Sequence, residues 1–249
     1  MEAWYQPPVP EPAGPTSLAL IVPAYNEGGR LYASLGLITS ELGASFGGGH
    51  VVVVDDASTP PVSAEQLPAG ADVTVHLLRH DLNLGQGAAL QTGVDFARDV
   101  LRANVFVTMD ADGQHDPKDL ARVASALKDA DIVFGTRFSD IAPVNMPLHR
   151  RWVLLAARLF ERLLTGLKLS DAHNGYRAFN HRFASVMCLK QNRMAHATEI
   201  KQAVARHRLR YAEVPVRVRY TADSIAKGQR SSGGFAILKD LLRAYLFNG

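Results

Sequence analysis

Cysteine is all but missing: Cys188 is the only one in 249 residues. No disulfide can form within the chain, and nothing in its cysteine usage points to an oxidising compartment. Cys188 lies in an apolar stretch, Val186 to Leu189, and reads as a small core residue rather than a nucleophile. An excess of charge of one sign is also missing. A formal net charge of +3 is too small to imply nucleic acid as a partner. Basic residues do gather late, at Arg206, Arg208, Arg210, Arg217, Arg219, Lys227 and Arg230. Such a group suits phosphates, acidic lipid or plain water. No apolar run approaches the roughly 20 residues that span a bilayer. Met1 to Thr16 is rich in proline, carries Glu2 and Glu11, and lacks the basic and apolar regions of a signal peptide. It reads as a flexible arm, and the expected location is cytoplasmic, in bulk solution or peripheral to a membrane face.

Nearly half the residues are hydrophobic and a fifth are charged, which places the chain among soluble globular proteins rather than disordered ones. Its length suits one α/β domain with a substantial core. Short apolar runs at 18–22, 51–54, 73–78, 105–109 and 131–135 read as strands, several of them without alternation, as expected where both faces are covered. Between them, 27–43, 86–103 and 116–129 have helical spacing. Leu90, Val94, Ala97 and Leu101 form one stripe, and Asp116-Pro117 is a good helix opening. This alternation predicts a Rossmann-like, mostly parallel sheet flanked by helices. Farther on, 149–166, 179–189 and 196–207 read as helices, and Tyr211 to Tyr220 as an edge strand. Residues 221–234 read as a glycine- and serine-rich loop, and 235–247 as a closing helix. A single domain over 17–249 is expected, in two halves, 17–137 and 138–249.

Ligands of open parallel sheets bind beyond the carboxyl ends of the strands. Polar residues gather there: Tyr25-Asn26-Glu27, Asp55-Asp56, Asp110, Asp112 and Arg137. Val107-Thr-Met-Asp110-Ala-Asp112-Gly-Gln114 is the sharpest motif. Two carboxylates at a strand end suit a hard divalent cation, Mg²⁺ or Mn²⁺, able to bridge a diphosphate and stabilise a leaving group. An ordinary capped turn uses the same residue types. Asp55-Asp56-Ala-Ser58 can accept from a nucleoside base or ribose, or simply cap a turn. Tyr25 offers an aromatic face, while Glu27 suits the first turn of a helix. Asn83-Leu-Gly85-Gln-Gly87 opens a helix, but Leu90 stands where a dinucleotide fingerprint needs its third glycine. These glycines read as a tight turn close to ligand or to neighbouring backbone.

Taken in order, Pro23-Ala-Tyr-Asn-Glu27, Val54-Asp-Asp-Ala-Ser58, Asn83-Leu-Gly85, Asp110-Ala-Asp-Gly-Gln114 and Gly135-Thr-Arg137-Phe resemble the family 2 glycosyltransferases of GT-A fold. The dolichol-phosphate mannosyltransferase-like branch is the most similar, over roughly residues 17–230. The resemblance implies an inverting transfer from a nucleotide-diphosphate sugar, with 17–137 as the nucleotide-sugar half and 138–249 as the acceptor half. Pro23, Tyr25, Glu27, Asp56 and Asp110 would bind the nucleotide sugar. Asp110, Asp112 and Gln114 would surround the metal. Arg137 would approach the diphosphate or an acceptor phosphate. Asp171-Ala-His173-Asn-Gly175-Tyr-Arg177 matches the acceptor-side segment, though His173 and Asn174 depart from its commonest form. Arg177, Lys227 and Arg230 would hold an acceptor phosphate, Arg177 with two prongs unless it is a plain surface charge.

With a polyprenyl or other lipid phosphate as acceptor, no general base is needed. With a glycan or other hydroxyl acceptor, Asp171 or Glu199 could serve. The broad apolar face of the last helix suits docking on the domain, a second subunit in a homo-oligomer, or a membrane interface. Two other classes share these features: a sugar-phosphate nucleotidyltransferase, and a non-catalytic subunit that binds nucleotide sugar.

Overall fold

A computed structural model describes residues 17–68, 70, 72–137, 162, 166–171, 174–191 and 195–218. The N-terminal arm, most of the helix expected over 149–166, His173, the loop bearing Lys227 and Arg230, and the last helix lie outside the described residues.

Leu18–Ala24 forms β1, and every residue but Pro23 is buried. Alternate side chains of a strand point to opposite faces, so β1 supplies two cores. Leu18, Leu20, Val22 and Ala24 pack with Leu31, Leu35, Ile38 and Leu42 of α1 (Gly29–Phe46) and with α3 (Leu120–Ser125). Ala19 and Ile21 pack with α2 (Gln86–Asp99), α4 (His181–Ala184) and α5 (Ala195–Arg206) on the other side. Fully burying each aliphatic side chain is worth about 1.5–3 kcal/mol. The absence of alternation in the sequence is thus the mark of a sheet sandwiched between helices.

Among the described residues the sheet has seven strands: β1, β2 (Gly49–Asp55), β3 (Val73–Arg79), β4 (Val105–Thr108), β5 (Ile132–Thr136), β6 (Arg177–Asn180) and β7 (Tyr211–Pro215). Their order is β3-β2-β1-β4-β6-β5-β7. All run in one direction except β6, which is antiparallel to β4 and β5 on its two sides. The mostly parallel sheet flanked by helices is as the sequence predicts. The start of β6 therefore lies at the end of the sheet where the other strands finish.

Three expectations change. The helix expected over 179–189 shrinks to α4, because Arg177–Asn180 is taken up as β6. Asn180 marks the switch, its side chain accepting from Phe183 N–H. Cys188 is exposed, not core: it points out between buried Met187 and Leu189. The helix expected over 116–129 is short, α3 with a 3₁₀ turn at either end, and Asp116 caps the first of these through Lys118 N–H.

Candidate functional site

Pro23, Tyr25, Glu27, Asp56, Gln86, Asp110 and Asp112 line one cavity of about 490 Å³ beyond the ends of β1, β2 and β4. Local bonds fix its walls. Asn26 takes a left-handed conformation, φ 54°. Its N–H donates to Ser58 Oγ and its Oδ1 accepts from Thr59 N–H, tying the exit of β1 to that of β2. Tyr25 is left 49% exposed at the cavity wall. Glu27 pairs with Arg30 at 2.9 Å.

The two neighbouring carboxylates at the end of β2 do different work. Asp55 is buried and accepts from Ser58 N–H, Val62 N–H and Arg79. Burial alone would raise its pKa, but the hydrogen bonds and the Arg79 charge outweigh that and hold it below the usual carboxylate value. Asp55 thus shapes the turn. Asp56 faces the cavity. It accepts from Leu84 and Gly85 N–H at 2.8 and 2.7 Å, and its Oδ1 lies 2.8 Å from His80 Nδ1. His80 is a member of the site that motif reading misses, although its place at the carboxyl end of β3 is a signal in itself.

Asp110 Oδ1 accepts from Gln86 Nε2 at 2.9 Å. On another flank it meets the backbone of Gly175: an added Cβ there would lie 2.3 Å from its Oδ2. The acceptor-side segment and the Asp-x-Asp segment are therefore in direct contact, which neither motif alone reveals. Asp112 accepts from Gln114 twice, from its N–H at 3.0 Å and its side-chain amide at 2.6 Å. Ala111, between the two carboxylates, turns into the core.

Arg137, just after β5, grips Asp171 with two prongs, Nε to Oδ2 at 2.7 Å and Nη2 to Oδ1 at 2.9 Å. Both carboxylate oxygens of Asp171 thus accept from Arg137. Glu199 accepts from Lys190 and Gln191 N–H, capping a turn. Arg177 is not a surface charge. It is 3% exposed, in β6, opposite Thr108 and Phe134. Burial lowers its pKa, while Asp110 and Asp171 favour its charged form. Among the described residues no group of three or more His, Cys, Asp or Glu could hold a metal ion by itself. Asp110 and Asp112 would supply two hard oxygen ligands, and a donor's phosphates and water would complete the shell. This is the usual arrangement for Mg²⁺-type sites, so the residues fit the cation.

Residues 19–186 match the profile of the family described as Glycosyl transferase family 2. The chain belongs to this family. Among its relatives, an uncharacterised protein of Methanocaldococcus jannaschii is 32% identical over 92% of both chains. The undecaprenyl-phosphate mannosyltransferase of Micrococcus luteus is 36% identical over 64% of each. The UDP-N-acetylglucosamine–dolichyl-phosphate N-acetylglucosaminyltransferase of Methanococcus voltae is 33% identical over 66% of this chain and 67% of its own. A solved structure of glucosyl-3-phosphoglycerate synthase from Mycobacterium tuberculosis, in complex with Mn²⁺, UDP and phosphoglyceric acid, superposes with a TM-score of 0.59. It is 17% identical over 92% of this chain and 78% of that one.

The protein is thus a glycosyltransferase of GT-A fold. In this family 2 enzyme, Gly85 (φ 92°) makes the turn into α2, and Gly87 lies against the Gln191 carbonyl, where an added Cβ would come within 2.3 Å. Gly85 serves the turn and Gly87 the close approach, and the pair is not a dinucleotide fingerprint. No helix among the described residues is long and apolar enough to cross a membrane.

Proposed function

We propose that this glycosyltransferase moves a sugar, with inversion, from a nucleoside-diphosphate donor in the 490 Å³ cavity to a polyprenyl phosphate at the cytoplasmic membrane face. The convergence of Asp56 with Asp110 and Asp112, from two distant stretches of sequence, on that one cavity carries the proposal. The names of the relatives from Micrococcus and Methanococcus support the acceptor class.

Pro23, Tyr25, Glu27 and Asp56 hold the nucleoside, Tyr25 through its ring and Asp56 as an acceptor. Asp110 and Asp112 would hold Mg²⁺ or Mn²⁺, with Gln114 steadying Asp112. Such a cation supplies charge stabilisation to the departing diphosphate. Arg137, aimed by Asp171, adds positive charge on the same side. Arg177, buried in β6, puts positive charge near Asp110 and Asp171, and the basic residues Lys227 and Arg230, outside the described residues, would hold the acceptor phosphate. An acceptor phosphate, with a second pKa of about 6, is already anionic at neutral pH. Its oxygen forms a bond to the anomeric carbon as the bond from that carbon to the diphosphate oxygen breaks. The electron pair leaves with the nucleoside diphosphate, and no general base is required. Positioning and charge stabilisation carry the catalysis.

The test offers radiolabelled nucleotide sugars with Mn²⁺ to polyprenyl phosphate and, separately, to membrane extract. Label in the lipid phase, lost in chelator and in Asp112→Ala, is the expected outcome. Label appearing only in soluble glycan or protein excludes the lipid-phosphate acceptor. Full activity in chelator together with an unaffected Asp112→Ala variant removes the metal assignment.

A further inference from the structure

His80 sits where β3 ends, and none of the roles above uses it. Its side chain is 10% exposed, wedged between Asp56 and α2. Nδ1 lies 2.8 Å from Asp56 Oδ1, and Nε2 lies 3.0 Å from Thr92 Oγ1 on α2. The His80 backbone N–H also donates to the Asp55 carbonyl at 2.9 Å. An ionised carboxylate only accepts, so Nδ1 carries the proton. In the neutral ring Nε2 then accepts from the Thr92 hydroxyl.

Asp56 is 3% exposed yet lines the donor cavity. Its two oxygens offer about four lone pairs. Oδ1 takes His80 and Leu84 N–H, and Oδ2 takes Gly85 N–H. One acceptor direction, on Oδ2, remains for a group inside the cavity, and its aim follows from how the carboxylate is held. Two of the three bonds come from the Leu84–Gly85 rim, which Asp56 itself keeps in place. The His80 bond is the one that ties the carboxylate to a side chain of α2, Thr92, more than a full turn beyond the Gly85 N-cap.

We propose that His80 is a positioning residue for the donor's nucleoside: it fixes Asp56 and, through Asp56, the Leu84–Gly85 rim of the cavity. This rests on the donor-site reading above.

The experiment titrates the full chain calorimetrically with UDP and, separately, GDP, each with Mn²⁺, and records thermal unfolding alongside. His80→Asn keeps an N–H where Nδ1 stands, His80→Gln reaches only towards the Nε2 position, and His80→Ala does neither. His80→Ala and His80→Gln should each weaken the better-bound nucleotide about tenfold, while His80→Asn stays within about twofold of wild type. Equal affinities for the Asn and Gln variants, or wild-type affinity in His80→Ala, overturn the proposal. So does a loss of affinity that simply follows Tm across the variants, since that is a stability effect alone. If His80→Ala fails to fold, the Asn–Gln pair decides. Wild-type protein that binds neither nucleotide overturns the donor-site reading itself, and with it this inference. Wild type that binds while all three variants match it overturns only the role of His80.

Discussion

Asp110 has Gln86 on one oxygen and the backbone of Gly175 against its carboxyl group. An added Cβ at residue 175 would stand 2.3–2.6 Å from three carboxyl atoms of Asp110. Asp110 would have to turn away, while the surrounding core would keep its packing. Gly175→Ala should therefore weaken Mn²⁺–nucleoside diphosphate binding at least about tenfold, with little change in Tm, read by calorimetry and thermal melting. Arg177 behaves differently. Its removal empties a buried place in the sheet and takes a positive charge from near Asp110 and Asp171, the latter keeping Arg137, so Arg177→Ala should cost about 2–5 kcal/mol in urea denaturation. Arg177→Lys, which keeps the charge but loses the fork, should cost less.

Helix α2 lies close on β1 because Gly93 faces Ile21, where a Cβ would come within 2.5 Å of Ile21 Cγ2 and 3.2 Å of Val54 Cγ2. In an exposed helix, alanine in place of glycine would add up to about 1 kcal/mol of stability. Here overpacking, at about 1–3 kcal/mol, wins. Gly93→Ala should be net destabilising, seen as a lower urea midpoint with an unchanged m-value. The same contacts explain what could be read from the sequence. β1 to β5 are short apolar runs set off by polar strand ends, and the carboxylates Asp56, Asp110 and Asp112 mark those ends. β6 was not legible, because Tyr176–Phe179 is buried on both faces and runs into α4 without a glycine or proline between them. Neither period 2 nor period 3.6 stands out in such a run. Cys188 misled for the opposite reason, being an outward residue in an apolar neighbourhood. His80, Gln86 and the depth of Arg177 depend on partners brought in from other elements, which spacing within one motif does not encode.

Across the whole molecule, the late basic residues are partly spoken for. Arg210 binds Asp131, and Arg217 binds Asp119. Asp131 joins three strands: it receives Asn180 from the end of β6 and Arg210 from the start of β7, and stands at the head of β5. Burial alone would raise its pKa, but Arg210 and Asn180 hold it below the ordinary value. The unfolded chain therefore takes up this proton at a higher pH than the native one. The stabilisation is complete above the unfolded value and is lost as pH falls, over a window from about pH 5 downward. Asp131→Asn should lower stability at neutral pH and flatten that acid decline, measured as urea midpoints across pH.

β6 carries a consequence for synthesis. Residues up to Thr136 suffice to make β1 to β5, but β4 and β5 have no bond to each other until Arg177–Asn180 slides between them. A nascent chain released from the ribosome before that point leaves Val105–Thr108 open on one edge and Ile132–Thr136 unpaired on both, and both strands are strongly apolar. Unpaired edges of this kind recruit other chains. A truncation ending at residue 170 should accumulate as aggregate in a sedimentation assay, whereas one that retains β6 and β7 should remain in the supernatant.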